Sequence, residues 1–384
     1  ICSYVRSKSG YPIYSGTEVT YYPFGERMFE DMMKAIKKAE HFIFIEYFII
    51  RPGVMWNSML EVLVQKANEG VEIKIIYDDM GCVALLPPGY FKQLEKLSPN
   101  IKCMAFNPVV PFLSLVMNNR DHRKILVVDG HTGFNGGINL SDEYINVTSP
   151  YGTWKDTGVR LRGEAVINLT EMFMEMWHTF RDTDAKVDME KYSPSLYGPE
   201  YHSDGFIQPF YDSPLDDETI SANVYADIVN CAQDYVYIFT PYLILDDTMK
   251  NALCLAAKRG VDVRIVTPGI PDKKLIYRLT RANYKPLLKA GVRIYEYTPG
   301  FIHAKSFVSD DKIGVVGTIN LDYRSLFLHF ECGTLMYGSS AVESLKKDHI
   351  TTMDQSREIT LDNIRDYYHG TMFDALLRVI APLL

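Results

Sequence analysis

Two stretches of this chain, "DHRKILVVDG" at 121–130 and "IHAKSFVSDD" at 302–311, share one skeleton: His, any residue, Lys, four residues, Asp. In a strand, residues two apart point to the same face, so His122 projects with Lys124, and His303 with Lys305. Each copy therefore offers an imidazole beside an ammonium. The copies stay in register past Asp129 and Asp310: Gly136 and Gly317 follow seven residues later, Asn139 and Asn320 ten residues later, with Gly137 and Thr318 between them. Further on, Asp156 and Glu331 each stand two residues before a glycine.

This set suits a phosphoryl group. Lys and Asn side chains hold anionic oxygens, one His attacks phosphorus, and the other protonates the leaving oxygen and later deprotonates the acceptor. A carboxylate hydrogen-bonded to a ring nitrogen fixes its tautomer, a role given to Asp156 and Glu331. Asn139, Asn320, Gly137 and Thr318 are expected to bind or support the phosphate. Asp129 and Asp310 complete the motif and stand with the catalytic candidates, although a turn or salt-bridge role at the strand end fits them better. One copy makes half a site, because nucleophile and acid need separate histidines.

The elements that position these residues are also duplicated. "MLEVLVQKANEGVEIKIIYD" (59–78) and "MKNALCLAAKRGVDVRIVTP" (249–268) each read as an amphipathic helix, a glycine stop and a strand. The strands before them, "FIFIEYFII" and "YVYIFTPYLIL", and the helix-strand units after them agree as well. The expectation is an α/β chain of two tandem pseudo-symmetric domains, 1–200 and 201–384, each with a mainly parallel central sheet flanked by helices. Periodicity lapses over 183–206, which reads as the linker.

Composition narrows the function. Hydrophobic residues make up 47% of 384 positions and the net charge is -8, which argues against disorder and against a nucleic-acid partner. The six cysteines show no C-x-x-C pair, and the histidines show no H-E-x-x-H or Cys/His spacing, so neither a disulfide scaffold, a metal site nor a cofactor is expected. No apolar run approaches the roughly 20 residues of a spanning helix.

The motifs above, with "GFNGGINLSDEY", "WKDTGVRLRGEAV", "YTPGFIHAKSFVSDD" and "GTINLDYRSLFLHFE", resemble the phospholipase D superfamily, and within it the bacterial cardiolipin synthase family, from about residue 19 to the C-terminal "APLL". The resemblance implies two phospholipase D-like domains. It also implies a metal-independent phosphatidyltransferase at the cell membrane, with catalytic domains on the cytoplasmic side and membrane segments preceding Ile1. Its implied substrate is phosphatidylglycerol and its product cardiolipin. By family habit His122 is the nucleophile and His303 the acid and base, though the near symmetry of the copies allows the reverse. Alternatives that use the same residues are a phospholipase D-type hydrolase and a phosphatidylserine-type synthase; a nuclease or an inactive membrane scaffold fits less well.

The repeat breaks in two places. The first half inserts "VVPFLSLVMNNRD" (109–121), which reads either as a core strand or as a hydrophobic lip for acyl chains, with Phe112 and Leu115 as lipid contacts. In the second half Lys274, Arg278, Arg281, Lys285 and Lys289 recur at helical spacing. They form either a solvated stripe or a dock for an anionic membrane surface, with Arg278 and Arg281 as its contacts. Glu46, alone in an apolar strand, either lines the site mouth or is buried with a partner.

Overall fold

The computed structural model describes residues 1–108, 119–181 and 189–368. The β-branched and aromatic runs form strands, and the chain passes through the same order twice. The first pass gives β1 (Thr17–Tyr22), β2 (Phe42–Tyr47), β3 (Glu72–Asp78), β4 (Ile101–Phe106), β5 (Arg120–Asp121), β6 (Lys124–Val128), β7 (Thr132–Gly136), β8 (Thr153–Lys155) and β9 (Gly158–Gly163). The second gives β10 (Phe206–Asp212), β11 (Tyr235–Phe239), β12 (Asp262–Pro268), β13 (Arg293–Tyr297), β14 (Gly300–Ile302), β15 (Ser306–Ser309), β16 (Ile313–Gly317), β17 (His329–Tyr337) and β18 (Ser356–Ile359).

The two sheets have matching strand orders, β1-β9-β7-β6-β2-β3-β4 and β10-β17-β16-β15-β11-β12-β13-β18. The α/β architecture follows the expectation, but the pairing is mixed rather than mainly parallel. Along these two strand orders the parallel pairs are β2-β3-β4 and β11-β12-β13, where helices make the crossovers. The remaining pairs along these orders are antiparallel because the His-Lys strand returns through a tight turn. That turn holds Asp129 (φ 49°) and Gly130 (φ 66°) in one half, and Asp310 (φ 53°) and Asp311 (φ 55°) in the other. Helix-strand alternation in the sequence reveals crossovers but not such hairpins.

The sheets face each other across a shared layer. Val166–Phe180 and Ser340–Asp354 are helices whose apolar residues join one core with the inner faces of both sheets, including Phe44, Val127, Phe239 and Val308. Outer cores lie under the helices Gly25–Lys38 and Val54–Asn68 on the first sheet, and under Ile220–Cys231 and Asp247–Lys258 on the second. The N-terminal helix Cys2–Ser9 packs with the second sheet, where Val5 is fully buried. Among the described residues no helix is long and apolar enough to cross a membrane.

Candidate active site

The segments that carry the histidines cross from one half to the other. β5 pairs in parallel with the start of β17, setting Asp121 opposite Phe330, and the His122 N–H then donates to the Phe330 carbonyl at 2.9 Å. β14 pairs likewise with β8, setting Ile302 opposite Lys155, and the His303 N–H donates to the Lys155 carbonyl at 2.7 Å. One residue further along, each imidazole therefore meets the carboxylate of the opposite half. His122 Nδ1 lies 2.8 Å from Glu331 Oε1, and His303 Nδ1 lies 2.6 Å from Asp156 Oδ2. Both carboxylates are fully buried. With Nδ1 committed to a carboxylate, Nε2 of each ring is the nitrogen left for chemistry.

The lysines stand beside their histidines as the two-residue spacing requires. Lys124 Nζ donates to the His122 carbonyl, Lys305 Nζ to the His303 carbonyl, and Lys305 Nζ is also 2.9 Å from His303 Nδ1. Burial pushes the Lys124 ammonium down to about 8, opposed by Glu331, and the Lys305 ammonium down to about 7, opposed by Asp156. Burial and then Lys305 bring His303 down to about 4; burial and then Lys124 hold His122 well below the ordinary histidine range. Both imidazoles are thus neutral near neutral pH, ready to attack or to accept a proton. A bound phosphate adds negative charge beside all four groups and moves them upward.

The surroundings of the two histidines differ. The Glu331 carboxylate also accepts the hydroxyls of Thr318 and Ser325, the latter at 2.6 Å. Among the described residues Asp156 accepts, besides His303, only the Thr157 N–H, at 2.8 Å. Gly137 is required there, since a Cβ would come within 2.1 Å of Asp156 Oδ1. Rings wall His303: Tyr144 at 5.4 Å, Trp154 at 5.5 Å and Phe301 at 5.9 Å between centroids. His122 instead meets Phe48 at 5.1 Å and a third imidazole, His329, at 5.6 Å.

Both histidines open on one cavity of about 640 Å³, also lined by Asn139 and Asn320 and, nearer the mouth, by Arg51, Met80, Lys273, Ile276, Tyr323 and Arg324. Asn139 accepts the Ile49 N–H and donates to the Tyr144 hydroxyl, whereas Asn320 Oδ1 is buried with no hydrogen-bond partner among the described residues.

Several expected residues lie elsewhere or act otherwise. Asp129 and Asp310 are not at the site: seven residues along the strand put them roughly 20 Å from the histidines. Asp129 accepts the backbone N–H groups of Glu40, His41 and Phe42, and Asp310 those of Gln233, Asp234 and Tyr235. They tie the turn to the start of the neighbouring strand. Gly137 and Thr318 serve the carboxylates rather than touching the cavity. Glu46 is buried and paired with Arg123 at 2.7 Å, so it does not line the mouth.

The cationic stripe is not one helix. It divides into Lys274–Ala282 and Tyr284–Ala290. Arg281 is turned inward, 2.8 Å from Glu296 and 2.7 Å from the Tyr367 carbonyl, and is not available to a lipid surface. Arg278 is partly buried on the first of these helices. Phe112 and Leu115 lie outside the described residues.

Sequence reasoning missed Tyr144, Trp154 and His329. The last two carried a usable signal: Trp154 stands two residues before Asp156 and His329 two before Glu331, and that spacing puts each on the face of its carboxylate.

Comparisons with known proteins agree on a family. A family model described as "Cardiolipin synthase, PLD-like domain" matches residues 32–177 and 225–350. A cardiolipin synthase of Alkalihalophilus pseudofirmus is 34% identical over 376 residues, covering 97% of this chain and 73% of that protein. An uncharacterized protein of Streptococcus mutans is 49% identical over 385 residues, covering 100% of this chain and 82% of its own length. The crystal structure of a phosphatidylserine synthase from Haemophilus influenzae shares the fold, with a TM-score of 0.72 at 14% identity, over 100% of this chain and 97% of that one.

Proposed function

The chain belongs to the cardiolipin synthase family of phospholipase D-like proteins, and from that membership and its paired histidines we propose that it transfers a phosphatidyl group between two phosphatidylglycerol molecules, making cardiolipin and releasing glycerol. The observation that carries this reading is the pair of imidazoles on one cavity, each held at Nδ1 by a carboxylate of the opposite half.

Lys124 and Lys305 hold the donor phosphate between the two rings. The anionic donor raises the proton affinity of His303, which enters this step as the imidazolium: Nε2 of His122 attacks phosphorus while His303 gives its Nε2 proton to the departing glycerol oxygen, leaving the phosphatidyl group on His122 and His303 neutral. The hydroxyl of a second phosphatidylglycerol then gives its proton to His303 and attacks phosphorus, and the His122 bond breaks. Each step moves one proton and exchanges one bond at phosphorus, so the site ends as it began. Lipid as the acceptor fits the cavity, where Met80 (39% exposed) and Ile276 present apolar surface along with the cations Arg51 and Lys273, as work at an anionic membrane surface requires.

The test is to incubate the protein with vesicles of phosphatidylglycerol labelled in its phosphate and to separate the lipids. Cardiolipin with released glycerol is expected. Phosphatidic acid as the main product would mean that water is the acceptor, and unchanged lipid would overturn the reading altogether.

A further inference from the structure

The donor phosphate occupies both His-Lys pairs, yet the cavity offers cations that those pairs do not use. Lys273 and Arg324 line it, and among the described residues neither forms an ion pair. Lys273 Nζ lies over the Tyr242 ring at 5.5 Å, and the adjacent Asp272 accepts the Tyr242 hydroxyl at 2.6 Å and forms no ion pair with Lys273. Arg324 Nε donates to His329 Nε2 at 3.2 Å, and among the described residues its terminal nitrogens form no hydrogen bond or ion pair. Of the other acids lining the cavity, Asp322 caps a helix by accepting the Ser325 N–H at 2.9 Å and also feels the Lys273 charge, and Glu143 accepts the Ser141 hydroxyl.

These two cations converge on the histidines. Arg324 is attached to His329, whose ring is 5.6 Å from that of His122. Tyr242, beneath Lys273, is 6.5 Å from Phe301, which packs 5.9 Å from His303. The charge of Lys273 also reaches His122, lowering its proton affinity after burial and the nearer groups. Lys273 is thus linked to the His303 niche through ring contacts and to His122 through its charge.

The repeat itself singles out this side. Leu140 bridges Ile50 and Leu321 bridges Leu243, which aligns Glu143 with Arg324 and Arg51 with Ile244. Glu143 accepts the hydroxyl of Ser141 and faces the same cavity as an acid. One position thus carries an anion in the first half and a cation in the second. Shared phosphoryl chemistry does not demand that difference; recognition of a second anion does.

We propose that Lys273 and Arg324 form a second anion subsite, which holds the phosphate carried by the acceptor while its hydroxyl is attacking. This rests on the transfer reading above and deepens it: the acceptor is selected as a phosphate-bearing alcohol, by charge-assisted hydrogen bonds in the same cavity as the two histidines. The ligand class is a glycerol phosphate, either as a lipid headgroup or free.

The experiment offers competing acceptors to the whole chain with phosphatidylglycerol as donor. With vesicles and ethanol together, the ratio of cardiolipin to phosphatidylethanol should fall roughly tenfold in Lys273→Met and in Arg324→Gln, and recover in Lys273→Arg. With soluble acceptors, the wild type should prefer glycerol 3-phosphate to glycerol, and Lys273→Met should lose that preference. A ratio unchanged in both variants, or equal use of the two soluble acceptors by the wild type, would overturn the subsite. Absence of cardiolipin with the glycerol 3-phosphate preference intact would retire the lipid acceptor and keep the subsite. A preference shown by the lipid acceptor alone would place selection in the acyl chains and not in these cations.

Discussion

Nearly the same backbone builds the His122 niche and the His303 niche, and the two differ in how the carboxylate divides its charge. Glu331 serves His122, Thr318 and Ser325 at once, so its lone pairs are spent largely on hydroxyls and it orients the ring more than it raises its basicity. Asp156 gives one oxygen to a backbone N–H and the other to His303, inside a wall of Tyr144, Trp154 and Phe301. An undivided carboxylate in apolar surroundings is the better support for an imidazolium. The contrast favours His122, held neutral and aimed, as nucleophile, and His303, backed by charge, as the ring that carries a proton between steps. Symmetry of fold therefore coexists with unlike surroundings for the two rings.

The largest effect should come from removing either ring, with turnover falling roughly 10⁴-fold in His122→Ala and in His303→Ala. The two should then part. After an alkaline detergent quench, phosphate label from the donor should be found on wild-type and His303→Ala chains and never on His122→Ala chains; label on the last would exchange the roles of the niches. An intermediate effect is expected from pH. Lys305, at about 7, and Lys124, at about 8, lose the charge that holds phosphate as pH rises, so kcat/KM should decline from near 7 upward. Because the bound anion favours the charged ammonium, the limb in kcat should lie at higher pH. A kcat/KM flat to about pH 9 would mean that the buried lysines do not hold the donor. The smallest effect on chemistry should follow Asp129→Ala and Asp310→Ala, each costing about 1–3 kcal/mol in denaturant unfolding through orphaned backbone donors. Catalysis by the folded fraction should stay near wild type, and loss of rate without loss of stability would return these residues to the site.

Much of this was legible because strand geometry is local. Spacing by two placed each lysine with its histidine, and equal offsets marked Asn139, Asn320, Asp156 and Glu331 as members of one constellation. What could not be read was anything set by how the sheets meet. No spacing within a half says that Glu331 serves His122 and Asp156 serves His303, since that depends on β5 pairing with β17 and β14 with β8. Arg281 was misjudged for the same reason: helical periodicity showed its face, and only the packed fold supplied Glu296 beneath it. Asp129 and Asp310 were legible as turn residues, and the motif pulled them toward chemistry that their left-handed conformation and backbone partners do not serve.

The crossed carboxylates tie the inheritance of one half to that of the other. A substitution at Asp156 alters a histidine nearly 150 residues away in sequence and leaves the motif of its own half intact, so damage should be read across the molecule and not along it. Recombining the first half of this chain with the second half of a relative would exchange both carboxylates at once, and such a hybrid works only where each parent's acid suits the other's imidazole. The duplicated halves can drift in their outer helices as separate lineages, but at β5, β8, β14 and the start of β17 they must evolve as a single locus.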